Sequence, residues 1–171
     1  MYKKILISSA VFAVFAGTVF WFLMQSFPRS FHQKYTDSTD LHTENINGFY
    51  LFDNINMDNF ISIYGKQMHK SADNDLYNYY EVQDGLEIAT TTNGGILRFS
   101  VEKSSIPTSK GINVGESITE VKKACGENYY KRTEQGLDIM GFVDKKCHQS
   151  IEFWYDQKKV LFYRLDDSRM Q

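Results

Sequence analysis

The stretch GINVGESITEVKKACGENYY, Gly111 to Tyr130, decides how the rest of the chain is read. Ser117 and Glu120 stand in the S-x-x-E order of a capping box, in which each side chain satisfies a free backbone N–H at a helix start. Ile118, Val121 and Cys125 then fall at i, i+3 and i+7, one apolar stripe. Gly126 suits the left-handed conformation that ends a helix. A helix of roughly two turns is too short to be stable alone, so it must lie on other elements.

The same order occurs upstream in NMDNFISIYG, Asn56 to Gly65. Asn56 takes the cap, Met57, Phe60 and Tyr64 the stripe, and Gly65 the stop. Beyond the helices, Leu76 and Val82 match Leu137 and Val143, and TTNGGILRFSV (91–101) matches YDQKKVLFYRL (155–165). The pattern predicts strands over 76–82, 86–92 and 95–101, and again over 137–143, 149–155 and 159–165. QDG (83–85) and Asn93-Gly94 supply hairpin turns. The expected fold class is therefore α+β, with an N-terminal transmembrane helix and then two repeats of a short helix packed on a three-stranded antiparallel sheet. The predicted division is an anchor over 1–30, a polar stalk over 31–47, repeat 1 over 48–103, a linker over 104–111 and repeat 2 over 112–171.

The anchor rests on Ile5 to Met24, ILISSAVFAVFAGTVFWFLM, which contains 20 residues and no charge. At ~1.5 Å per residue such a helix crosses a hydrocarbon core of ~30 Å. Lys3 and Lys4 precede it and Arg29 follows, which orients the N-terminus to the cytoplasm and the remainder outside. A cleaved signal peptide and secretion are the alternative. Ser9, Ala13 and Gly17 form a small-xxx-small pattern through which two anchors could pair as a homodimer. The stalk, FHQKYTDSTDLHTENIN, shows no apolar period.

Charge narrows the partners. Lys3, Lys4 and Arg29 take three of the 19 basic residues, and all 21 acidic ones lie beyond residue 30, so residues 31–171 are net −5. That balance speaks against binding nucleic acid through bulk charge. Cys125 and Cys147 are the two cysteines. Outside the cytoplasm they could form a disulfide, while a buried thiol and an unrelated second one fit equally.

Strand alternation assigns the faces. Leu137, Ile139, Val143, Ile151, Phe153, Tyr155, Leu161, Tyr163 and Leu165 are placed toward the helices, with Leu76, Tyr80, Val82, Leu86, Ile88, Leu97 and Phe99 from the first half. The opposite face then carries Met140, Phe142, Trp154, Val160, Phe162 and Arg164, with Tyr77, Tyr79, Ile96 and Arg98. A solvated sheet face should be polar, whereas aromatics with arginine are the residues that dominate binding hot spots. The candidate protein-binding residues are Tyr77, Tyr79, Arg98, Met140, Phe142, Trp154, Phe162 and Arg164. Burial of this face inside the fold, or a register shifted by one, are the competing readings.

The motif VGESITEVKKACG, followed by an antiparallel sheet, resembles the repeat of β-lactamase inhibitor proteins and of the small lipoprotein of the outer-membrane barrel-assembly machine. The resemblance spans roughly residues 50–167 as architecture. It implies joined sheets that bind proteins on a concave aromatic face, with Tyr77, Tyr79, Phe142 and Trp154 in that position. The chain departs from it in lacking a lipid-attachment cysteine after the apolar run and in having one helix per unit.

Little points to chemistry. His32, His42, His69 and His148 are scattered, and none makes a zinc-ligand spacing. Cys125 with His148 is the one nucleophile-and-base pairing on offer, and the helix stripe turns Cys125 inward. Asp73/Asp75 and Asp166/Asp167 read as solvated loop charge, and YYKR (129–132) as an exposed edge. The expectation is a membrane-anchored, extracytoplasmic protein-binding module without catalytic activity or cofactor, whose partner is another envelope or extracellular protein. An envelope hydrolase and a structural subunit of a membrane complex are the alternatives.

Overall fold

The computed structural model describes residues 27–170. Its centre is a single antiparallel sheet of eight strands in the order β1-β2-β3-β4-β8-β7-β6-β5. The strands are β1 (His69–Asp73), β2 (Tyr77–Gln83), β3 (Leu86–Thr91), β4 (Ile96–Val101), β5 (Tyr130–Glu134), β6 (Leu137–Asp144), β7 (Gln149–Asp156) and β8 (Lys159–Asp167). Three short helices accompany them: α1 (Arg29–Tyr35), α2 (Asp58–Tyr64) and α3 (Ile118–Cys125).

This corrects the expected fold class. There are not two helix-plus-sheet repeats with three strands each, because β4 pairs with β8 and makes one continuous sheet. Phe99 lies opposite Leu165 and Val101 opposite Tyr163, so the joint runs through the middle of the buried core. The edge strands β1 and β5 escape an apolar count because their sequences, HKSAD and YKRTE, are polar. The proposed anchor, Ile5–Met24, and the pairing stripe Ser9, Ala13 and Gly17 lie outside the described residues. Among the described residues no helix is long and apolar enough to cross a membrane.

Phe60 of α2 and Val121 and Cys125 of α3 join one buried cluster with Leu86, Ile88, Phe99, Val101, Ile151, Phe153, Tyr163 and Leu165. The Ser117–Glu120 capping box forms as its spacing requires. Asn56 does not cap α2; Met57 stands at that position without a side-chain bond. Gly65 and Gly126 end the two helices at φ 83° and 96°, angles that cost a side chain with a Cβ.

The polar segment after residue 30 is not a free stalk. It contains most of α1, and Leu41 and Ile46 are buried in the core beside Phe49 and Leu51. The Leu41 N–H donates to Asp144 Oδ2 at 3.0 Å, and the Thr39 N–H donates to the Val143 carbonyl at 2.8 Å. The 104–111 linker is also tied down, since Tyr163 Oη donates to the Ile106 carbonyl at 2.8 Å.

Candidate functional site

Two assigned site residues are misplaced by the sequence reading. Met140 and Phe142 point to the helix side and belong to the main core. The reason lies in β5: Tyr130 pairs with Gly141, and its ring covers the glycine so closely that a Cβ there would collide with it. Gly141 therefore belongs to the second face, and its neighbours turn inward. Alternation could not reveal this, because β6 is apolar on both faces. Ile139 and Val143, assigned inward, are buried on the second face.

Two bulges correct β4 and β8. Thr90 pairs with Ile96 while Ala89 pairs with Arg98, leaving Leu97 as the extra residue. Tyr155 pairs with Val160 while Trp154 pairs with Phe162, leaving Leu161 as the extra residue. Ile96 and Val160 accordingly enter the helix-side core and Leu161 is exposed. A bulge shifts the face parity of everything beyond it.

The second face is not an open aromatic sheet. Its centre is a buried polar network under α1. Glu152, on β7, has no exposed surface. Arg132 grips it with Nε at 2.8 Å from Oε1 and Nη2 at 3.0 Å from Oε2, and Tyr130 Oη donates to Oε1 at 2.8 Å. Arg29, at the start of α1, lies with Nε 3.4 Å from Glu152 Oε2. Its Nη2 donates to Asp166 Oδ2 at 2.7 Å and to Ser150 Oγ at 2.6 Å. Arg98 Nε completes the bonding of Asp166. His32 of α1 stacks on Tyr130 with centroids 5.6 Å apart.

These contacts set the ionisation. Burial alone would raise the Glu152 carboxyl, but the hydrogen bonds from Arg132 and the charges of Arg29 and Arg132 hold it below the usual carboxylate range. Burial pushes the Tyr130 hydroxyl up, and Glu152 adds to that. The His32 imidazole is lowered by burial and by the Arg132 charge.

Trp154, Phe162 and Arg164 are brought together beside this network. The Trp154 and Phe162 rings stack at 4.7 Å and 15°. The guanidinium of Arg164, on β8, lies 4.0 Å from the ring centre of Trp154, on β7, within cation–π range. Trp154 is buried at 3% exposure, whereas Phe162, Arg164 and Arg98 are half-buried. A cleft of about 690 Å³ opens over Arg98, Arg132 and Arg164, walled by α1, Arg169 and Met170. Tyr77 and Tyr79 share this face and are half-buried. They sit on β2, three strand spacings of about 4.8 Å from β8, so they do not touch the Arg164 group.

Tyr130, Arg132, Glu152 and Asp166 went unread as functional residues. The signal was present in YKRTE, where Tyr130 and Arg132 alternate with exposed neighbours. Asp166 lies on β8 with no exposure and is not solvated loop charge. Arg29 gave no signal, since its partners are more than 120 residues away in sequence.

Of the two readings left open for the cysteines, the structure has the separate thiols: Cys125 and Cys147 are both free. Cys125 is in the core at the end of α3, and Cys147 is in the β6–β7 turn beside Asp144. Burial pushes the Cys125 thiol up to about 11. Among the described residues no three metal-ligating side chains converge.

No family model and no curated protein matches this chain. A solved structure of an extracellular protein containing a SCP domain from Bacillus anthracis str. Ames is similar at 9% identity and a TM-score of 0.47. The match covers 68% of this chain and 44% of that one.

Proposed function

We propose that this chain is a non-catalytic protein-binding module that engages its partner through the half-buried part of the second sheet face, at Phe162, Arg164 and Arg98. The observation that carries the reading is the stack of Phe162, Trp154 and Arg164, whose Arg164 end also lines the arginine-rich cleft. It combines an aromatic anchor with an unsatisfied cation, the pairing that concentrates binding energy. Tyr77 and Tyr79 extend the same face and act as its outer contact. We place the encounter outside the cytoplasm on the strength of the lysine-flanked apolar run ahead of the described residues.

The test is crosslinking in intact cells on a tagged full-length chain, followed by identification of what is captured. A Phe162→Ser variant, checked for folding by circular dichroism, runs beside it. One protein captured by the wild type and lost from the variant is the expected result. Identical capture by both would overturn the assignment of this face. Phe142→Ser is unsuited to the experiment, because Phe142 lies wholly in the core.

A further inference from the structure

Four guanidinium groups, Arg29, Arg98, Arg132 and Arg164, meet three carboxylates, Glu134, Glu152 and Asp166, at this face. The carboxylates are taken by the first three arginines. Glu152 is held by Arg132 and Arg29, Asp166 by Arg29 and Arg98, and Glu134 by Arg132 at 2.6 Å. Arg164 stands directly opposite Glu152 in the strand register, yet forms no ion pair among the described residues. Its Nε is buried without a hydrogen-bond partner. The face of Trp154 and the more distant carboxylates of Asp166 and Glu152 offset its charge in part, opposed by Arg98 and Arg29. A half-buried guanidinium normally finds an acceptor.

We propose that Arg164 is an anion anchor that takes one carboxylate from an acidic side chain of the partner protein, entering by the cleft that Arg164 shares with Arg98 and Arg132. The inference rests on the protein-binding reading above. Within the buried network facing the arginine-lined cleft, and with Arg169 paired to Asp167, the four guanidiniums exceed the three carboxylates by one, which a single carboxylate balances. A phosphate dianion would overcompensate it. The direction of approach follows from charge. The smaller cleft that Arg164 lines with Phe162 also carries Glu81, Glu87 and Glu102 and repels an acid. The cleft shared with Arg98, Arg132 and Arg169 attracts one, despite Glu134 at its rim. Arg98 Nη atoms make no bond among the described residues and stand ready as a second donor. The planar guanidinium suits a bidentate carboxylate better than an ammonium would.

The test uses the full-length protein and three probes: the peptide acetyl-Gly-Glu-Gly-amide, its Gln counterpart, and inorganic phosphate. The Arg164 Nε–Hε signal is followed by ¹⁵N NMR, assigned by its loss in Arg164→Gln. The proposal expects a saturable shift with the Glu peptide and none with the Gln peptide. It expects phosphate to bind no tighter, and the Glu-peptide affinity to fall about tenfold or more in Arg164→Gln. Equal shifts with Glu and Gln, or no shift at all, would overturn it. Tighter binding of phosphate would overturn it in favour of a phosphorylated ligand. The wild-type titration stands even if the variant folds poorly. Capture in cells separates this inference from its premise. If Phe162→Ser loses the partner while a folded Arg164→Gln keeps it, the binding face stands and the anion anchor fails. If neither variant changes capture, both fail.

Discussion

Glu152 is the residue on which the second face depends. Its carboxylate has no exposure and is bonded by Arg132, Tyr130 and Arg29. Replacing it with Gln removes the charge that neutralises buried Arg132 and half-buried Arg29. The expected loss is about 3–5 kcal/mol, because breaking a buried pair leaves an uncompensated charge; urea unfolding at pH 7 measures it. The pH dependence has a definite sign. Burial opposes ionisation of Glu152, but Arg132 and Arg29 hold its folded pKa below the unfolded value of about 4.3. The stability it contributes is present above that pH and is lost as pH falls through the folded value. Stability of the wild type should fall more steeply on acidification than that of Glu152→Gln, and equal slopes would refute the assignment. The cysteines make a second residue-scale prediction. With its thiol pushed up to about 11 inside the core, Cys125 should resist a thiol reagent at pH 8 until the protein is unfolded. Half-exposed Cys147 should react first, and reducing agent should leave the folding midpoint unchanged.

The short helices act as lids on the sheet, and their ends matter as much as their faces. α3 has a complete capping box, with Glu120 N–H donating to Ser117 Oγ at 3.3 Å and Ser117 N–H donating to Glu120 Oε2 at 3.3 Å. Ser117→Ala should cost about 1 kcal/mol, measured as a shift in denaturant midpoint without a change in slope. An equal loss is not expected at Asn56, which caps nothing in α2. α1 differs from the other two in what it covers. It brings Arg29 and His32 to polar strands on the second face and contributes no residue to the helix-side apolar cluster. Its sequence, RSFHQKY, straddles the expected boundary between anchor and stalk at residue 30 and carries no signal of a helix. The buried side of α1 is itself polar, so no hydrophobic stripe marks it.

Across the molecule, the joint between β4 and β8 makes two groups of strands into one body. Leu165 sits at that joint, opposite Phe99 and Ile151, with no exposure. Leu165→Ala should cost about 2–5 kcal/mol by opening a cavity in the shared core. The strands on both sides should lose hydrogen-exchange protection together, since the core that both sides share is continuous. Protection lost only in β5–β8 would mean that the halves unfold separately. The outer strands differ in how they end the sheet. β1 is exposed along its whole length, and its polar, charged sequence suits an edge that must not pair with another chain.

Local order was determined by the sequence wherever a short-range rule applies. The capping box at Ser117, the glycine stops at Gly65 and Gly126, and the six apolar strands all follow from contacts within a few residues. Phe162 and Trp154 were legible as partners on one face because alternation holds along β7 and is broken on β8 only at the Leu161 bulge. Tertiary structure alone decided the rest. Where a strand is apolar on both sides, as in β6, periodicity carries no sign, and Tyr130 lying over Gly141 chose the face for Met140 and Phe142. The merging of two sheets into one, which the family resemblance implied, is a property of the β4–β8 pairing that no local pattern encodes. The polar network needed Arg29 to reach Asp166 and Ser150 through space. A charge that is solvated in the sequence becomes buried and paired only when distant segments bring its counter-ions, and that pairing leaves Arg164 over.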